Sequence, residues 1–175
     1  MNYHLIKTDD MLNGSGLRVV LYLSSCNHHC PGCHNPETWD CNSGKEFNKE
    51  AINQLFAHMN NNYIAGLTLS GGDPLNENNL DDVLSLCEQI REVYGNTKTI
   101  WLYTGYEWEE VFTEWVTDKY QSRRRDILKL CDVLVDGRFE EDKADINYPW
   151  AGSTNQRVID IRKSLETNNV VLWLG

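Results

Sequence analysis

Apolar residues recur along this chain in two rhythms that take turns. Short, nearly continuous apolar runs alternate with longer stretches whose apolar positions return every three or four residues. The first run, Gly16 to Leu23, is rich in valine and leucine and predicts a strand. Asn48 then stands as a cap before Ile52, Leu55, Phe56 and Met59, which share one face of a predicted helix. Leu67 to Ser70 predicts a second strand, broken by Gly71-Gly72-Asp73-Pro74. Leu80, Val83, Leu84, Cys87, Ile90 and Tyr94 mark one side of a second helix, closed by Gly95. Thr99 to Tyr103 predicts a third strand and Val133 to Val135 a fourth, ending in Thr104-Gly105 and Asp136-Gly137. Between those two lies a helical region with an irregular stretch from Trp115 to Arg125.

Alternation of this kind predicts an α/β fold, and the unbroken apolar strand cores predict a sheet buried on both faces. A closed eight-fold barrel needs about 250 residues. With 175 residues the chain has material for part of one, so the expected architecture is a partial, open (β/α) barrel with a mostly parallel sheet. No linker or repeat divides residues 1–175, which are expected to form a single domain. Chemically unusual residues follow every predicted strand: the cysteines after the first, Gly-Gly-Asp after the second, Thr-Gly-Tyr after the third, Asp-Gly after the fourth. Parallel α/β folds bind ligands at that edge, so these loops are expected to meet at one site.

Charge narrows the partners. A formal net charge of −10 argues against a nucleic-acid backbone as ligand. The basic run Ser122-Arg123-Arg124-Arg125 reads as a solvated face. Met1 to Asp10 lacks the apolar core of a secretory leader, and no apolar stretch reaches membrane length, so no membrane partner and a cytoplasmic location are expected. In a reducing compartment the six cysteines are expected as thiols rather than disulfides. Cys41, Cys87 and Cys131 are scattered, and Cys87 and Cys131 read as core residues.

The other three cysteines are grouped in Cys26-Asn27-His28-His29-Cys30-Pro31-Gly32-Cys33-His34. Asparagine, histidine, proline and glycine are not core residues, so the C-x3-C-x2-C loop points to a thiol site. Three thiols leave one metal position open. Zinc would take histidine or water there, whereas a 4Fe-4S cluster would keep one iron free to bind a further molecule. The spacing allows both, although structural zinc sites usually pair two short motifs and no second pair is present.

With Ser70-Gly71-Gly72-Asp73-Pro74 after the second strand, the cysteine loop resembles the radical S-adenosylmethionine superfamily. Asn13-Gly14, Gly16, Arg18, the Trp101 to Tyr106 segment, Val135-Asp136-Gly137, Trp150, Gly152-Ser153 and Asn155-Gln156 narrow the resemblance. Together they are similar to the activating proteins of anaerobic, class III ribonucleotide reductase. The resemblance implies that Cys26, Cys30 and Cys33 ligate three irons of a 4Fe-4S cluster. It implies that the backbone of Gly32, Cys33 and His34 lies near the adenine of S-adenosylmethionine, and that Gly71, Gly72 and Asp73 hold its methionine end. Glycine suits a place where backbone must approach a ligand closely. Thr104 and Asp136 are weaker candidates for the pocket wall, the alternative being that they simply end their strands. Three positions depart from the family pattern: His34 where tyrosine is frequent, Ser15 where proline is, and Ala151 where arginine is.

The implied activity is one-electron reduction of S-adenosylmethionine, homolysis of a C–S bond, and removal of hydrogen from a glycine of a large partner enzyme. That partner would be the glycyl-radical subunit of the reductase, with a low-potential electron donor such as flavodoxin supplying the electron. Two other readings accompany this one. The chain could activate a different glycyl-radical enzyme such as pyruvate formate-lyase, or could be a zinc-binding interaction module.

Overall fold

The computed structural model describes residues 1–113, 115 and 118–174. In chain order the elements are β1 (Asn2–Asp10), β2 (Leu17–Leu23), β3 (Lys45–Glu46), α1 (Lys49–Met59), β4 (Ile64–Gly71), α2 (Leu80–Tyr94) and β5 (Thr99–Tyr103). They continue with α3 (Trp108–Phe112), α4 (Gln121–Leu130), β6 (Val133–Asp136), β7 (Arg157–Asp160) and α5 (Ile161–Thr167). The seven strands form one open sheet in the order β3-β1-β2-β4-β5-β6-β7. The expected strands are β2, β4, β5 and β6, and they pair in parallel with one another. Antiparallel partners extend both edges: β1 beside β2 with β3 beyond β1, and β7 beside β6. The parallel core and the open sheet match the expected partial barrel; β1, β3 and β7 have no counterpart in the sequence reading.

Side-chain alternation divides the sheet into unlike faces. Val19, Leu21, Leu23, Leu67, Leu69, Ile100, Leu102 and Leu134 join the core that α1, α2, α4 and α5 cover with residues such as Leu55, Ile90, Ile127 and Ile161. Each fully buried leucine contributes roughly 1.5–3 kcal/mol there. The other face carries Trp101, Val133 and Val135, against which Tyr103, Trp150, Ala151 and Trp173 pack. Burial on both faces was expected from continuous apolar strands, but these neighbours show that chain segments from 150 onward, rather than helices alone, shield the second face. Trp150 and Trp173 meet Trp101 edge to face at 5.5 and 5.0 Å, a favoured aromatic arrangement.

Arg18 crosses this second face and is fully buried. Its five N–H donors reach Thr68 Oγ1, Ser15 O, Thr99 Oγ1, Leu67 O and Thr99 O at 2.7 to 3.1 Å. Its guanidinium also lies 5.3 Å from the centre of the Trp101 ring. Burial lowers its pKa to about 10, which still leaves it charged at neutral pH. Arg18 thereby ties β2, β4 and β5 together at the end of the sheet remote from the cysteines.

The helix boundaries follow local chemistry. Asn48 accepts from Ala51 N at 3.1 Å and caps α1. Gly95 closes α2 with φ 54° while its N–H donates to Arg91 O. Leu86, rather than Leu84, is among the fully buried residues of α2. The basic run needs correction. It lies on α4, and Arg123 is exposed, but Arg124 is only 4 % exposed. Arg124 donates to Leu75 O, Asp118 and Tyr106 Oη at 2.9, 2.6 and 2.9 Å, and its guanidinium sits 4.3 Å from the Tyr106 ring centre. Tertiary partners thus turn one charge of an apparent surface run inward. The described part of the Trp115 to Arg125 stretch ends in the first turns of α4; residues 116 and 117 lie outside the described residues.

Candidate active site at the carboxyl edge of the sheet

The cysteine loop leaves β2 and the glycine turn leaves β4, two adjacent parallel strands. Their pairing continues beyond the strand ends. Gly72 N donates to Leu23 O at 2.8 Å and Asp73 N to Ser25 O at 2.7 Å. Asn79 then bridges the two segments, its Nδ2 donating to Ser24 O and Asp73 O at 2.8 and 2.9 Å. This stitching explains both glycines. A Cβ on Gly71, where φ is +97°, would lie 2.6 Å from Leu23 N. One on Gly72 would lie 2.6 Å from Ser25 O. The crowding comes from main chain, the end of β2 for Gly71 and the start of the cysteine loop for Gly72, so glycine is demanded before any ligand enters.

Asp73 sits beneath this turn and is 1 % exposed. Its carboxylate accepts from Leu75 N, Thr104 Oγ1, Gly105 N and His28 Nε2 at 2.8, 2.9, 3.1 and 2.7 Å. Asp73 thus braces three loops, and the cleft above is lined by Ser70, Gly71 and Gly72 from the same segment. Thr104 reaches the lining as well, while Asp136 does not.

Cys26, Cys30 and Cys33 are free, half-buried, and all face one open cleft of about 1000 Å³. Cys26 N donates to Trp39 O at 3.1 Å, and Asn35 N donates to Cys33 Sγ at 3.4 Å. Burial, reinforced by the Asp73 carboxylate, pushes the Cys26 thiol up to about 11, and burial also raises Cys30. Thiols in such surroundings ionise readily only when a positive partner such as a metal takes the place of the proton on sulfur. Among the described residues no three His, Cys, Asp or Glu side chains converge tightly enough to hold a single metal ion. A 4Fe-4S cluster uses one thiolate per iron, which suits three thiols ranged around a roomy cleft. His34 lines the same cleft, its ring 4.9 Å from that of Phe139.

The remaining cysteines stand apart. Cys41 is exposed, and Cys87 and Cys131 are buried in the helix-side core. A hydrogen bond with Cys87, then burial, holds the Cys131 thiol well above its ordinary range.

Residues of the segment between β6 and β7 close one wall. Gln156 Oε1 accepts from Gly152 N and Ser153 N, while its Nε2 donates to Gly137 O at 2.9 Å. Asn155 Nδ2 donates to Arg138 O at 2.8 Å. The Gly-Ser and Asn-Gln pairs therefore clamp the loop after β6, a role that spacing alone does not show. Sequence reasoning also missed His28 and Arg18 as braces; a histidine between two grouped cysteines and an arginine inside an apolar strand were the available signals.

Residues 12–159 match the family model described as a 4Fe-4S single cluster domain, which puts the chain in an iron–sulfur class of protein. The chain is 41 % identical over 165 residues to the anaerobic ribonucleoside-triphosphate reductase-activating protein of Escherichia coli K12, covering 93 % of this chain and 100 % of that one. It is 37 % identical to the protein of that name from Enterobacteria phage T4, with 90 % and 93 % covered. The corresponding Vibrio cholerae protein is 39 % identical, with 89 % and 96 % covered. The chain belongs to the family of anaerobic ribonucleoside-triphosphate reductase-activating proteins. Among the described residues no helix is long and apolar enough to cross a membrane.

Proposed function

We propose that this chain activates anaerobic ribonucleoside-triphosphate reductase by generating a glycyl radical on its large subunit. The observation that carries the reading is a single cleft onto which Cys26, Cys30 and Cys33 open beside Gly71 and Gly72. Family membership supplies the partner. Cys26, Cys30 and Cys33 would hold a 4Fe-4S cluster, leaving one iron for S-adenosylmethionine. When bound, these two groups supply one-electron reductive chemistry able to remove hydrogen from a backbone glycine.

The protein's own share is positioning. Gly71 and Gly72 offer main chain free of side chains toward the methionine end, and Asp73 holds that turn from below. Cys33 and His34, which line the same cleft, would lie toward the adenine together with the backbone of the neighbouring Gly32. Exposed Met11, Leu12 and Ile146 stand around the cleft, where a substrate polypeptide would enter. A low-potential donor such as flavodoxin would deliver the electron in a cytoplasmic setting.

The test mixes anaerobically reconstituted, reduced protein with S-adenosylmethionine and the cognate large subunit. A glycyl-radical doublet in the paramagnetic spectrum, with 5′-deoxyadenosine and methionine as products, is the expected result. A large subunit whose radical-site glycine is replaced by alanine should give no doublet. Stoichiometric zinc without iron would overturn the cluster assignment. Activation of pyruvate formate-lyase with the cognate reductase left radical-free would overturn the choice of partner.

A further inference from the structure

We propose that His28 is a positioning residue that locks the cysteine loop onto the loops following β4, β5 and β6, setting the register of the thiols. The inference rests on the cluster reading above and concerns how this chain prepares the ligands. His28 lies midway between Cys26 and Cys30, and its side chain is 8 % exposed. Its ring meets one residue from each of the other loops. Nε2 lies 2.7 Å from Asp73 Oδ2, after β4. The ring stands edge-on to Tyr106, after β5, with centres 4.8 Å apart. Arg138 Nε, after β6, donates to Nδ1 at 3.2 Å.

These contacts fix the tautomer. Arg138 Nε can only donate, so Nδ1 carries a lone pair and Nε2 carries the proton given to Asp73. The ring's position also accounts for Gly105. A Cβ there would lie 2.4 Å from His28 Cδ2, so a bare backbone lets the ring reach Asp73. The loop needs such an anchor. Ser25 and His29, on either side of the ring, hold φ of 72° and 48°, values that side-chain-bearing residues seldom adopt. Loops with strained backbone keep their geometry only where surrounding contacts over-determine it. Groups behind metal ligands commonly serve this purpose by orienting them.

The test compares His28→Leu, which fills similar space without hydrogen bonds, with His28→Gln, whose amide can donate from near the Nε2 position. His28→Leu should lose cluster iron to a chelator about tenfold faster than the parent and broaden the reduced-cluster resonance; a tenfold penalty is ordinary for removing an outer partner of a metal ligand. His28→Gln should restore most of both. In the metal-free full-length chain, amide exchange in residues 24–35 should speed up in His28→Leu and recover in His28→Gln, while α2 and the parallel strands stay protected. Parent-like iron retention and exchange in His28→Leu would overturn the proposal. Equal loss in both variants, with the fold intact, would also overturn it, because packing rather than hydrogen bonding would then set the loop. A parent that never takes up iron would sink the cluster reading, while the exchange comparison would still decide the locking role. If His28→Leu does not fold, parent-like exchange and iron retention by His28→Gln support the proposal and their loss overturns it.

Discussion

Asp73 and Asp136 occupy matching places in the topology, and each is 1 % exposed beyond or at the carboxyl end of a parallel strand. Their partners differ. Asp136 meets a cation: Arg157 Nε donates to Oδ1 at 3.0 Å and Nη2 to Oδ2 at 2.5 Å, while Trp108 N at the start of α3 donates at 2.8 Å. Arg157 also grips Glu109, so the group fastens β7 and α3 to the sheet. Asp73 meets a hydroxyl, two backbone amides and an imidazole N–H, drawn from the loops around the cysteines. One carboxylate closes the fold through a charge pair; the other organises a cleft through directional hydrogen bonds. Position at the ligand edge of a parallel sheet therefore does not by itself make a residue part of the site.

Asp73→Ala should break this contrast most severely. It leaves several buried donors without a partner, at a cost on the order of 3 kcal/mol. A lowered denaturant midpoint together with failure to retain iron after anaerobic reconstitution is expected. Parent-like iron retention would show that the loops hold without their brace.

Gly72→Val comes next. The sequence argument for Gly72 rested on close approach of a ligand, and would spare the cluster. Contact with Ser24 and Ser25 predicts otherwise, because the cysteine loop itself must move. We expect most of the iron to be lost, with S-adenosylmethionine binding lost alongside. Titration of the cluster spectrum and iron analysis separate the two outcomes: full iron with weakened binding would restore the ligand-only explanation.

Asp136→Asn sharpens the comparison from the other side. It weakens a buried, charge-assisted contact at a cost of about 1–2 kcal/mol, and should leave iron content at the parent level. Loss of iron in a folded Asp136→Asn protein would join the two carboxylates into one site. The smallest effect belongs to Glu109. Arg157 holds the Glu109 carboxyl below its ordinary value, so this pair stabilises the fold above the unfolded-state pKa and ceases to do so as pH falls through the lowered one. The carboxylate is largely exposed, which limits its contribution to about 0.5 kcal/mol. Glu109→Gln should lose that increment near neutrality and converge with the parent in acid, as denaturation curves at the two pH values would show.

Much of this was written in local pattern. The four parallel strands were legible because each is a short apolar run bounded by turn residues, and α1 and α2 because their apolar positions keep a helical period. The cysteine loop stood out because three grouped thiols among asparagine, histidine, proline and glycine do not make a core, and the Gly-Gly-Asp turn, common by itself, gained meaning only from its place beside that loop. β1 and β7 were not. Of the nine residues of β1, only Ile6 and Asp10 are buried, so no two-residue alternation marks it. β7 has only four residues, of which Ile159 alone is buried.

What the chain determined by itself, then, was the four parallel strands and the helices α1 and α2, their order, and the residues with the right chemistry for a cluster. Local sequence carries these because secondary structure and turns depend on neighbours a few positions away. Tertiary structure alone decided which faces those residues present. Arg124 turned inward only because Leu75, Tyr106 and Asp118 come together around it. Gly72 is constrained by a loop almost fifty residues earlier, and Asp73 became a brace because Thr104 and His28 converge on it. Such hydrogen bonds and close approaches join positions distant in the chain, and their strength depends on burial and direction, which no local pattern records.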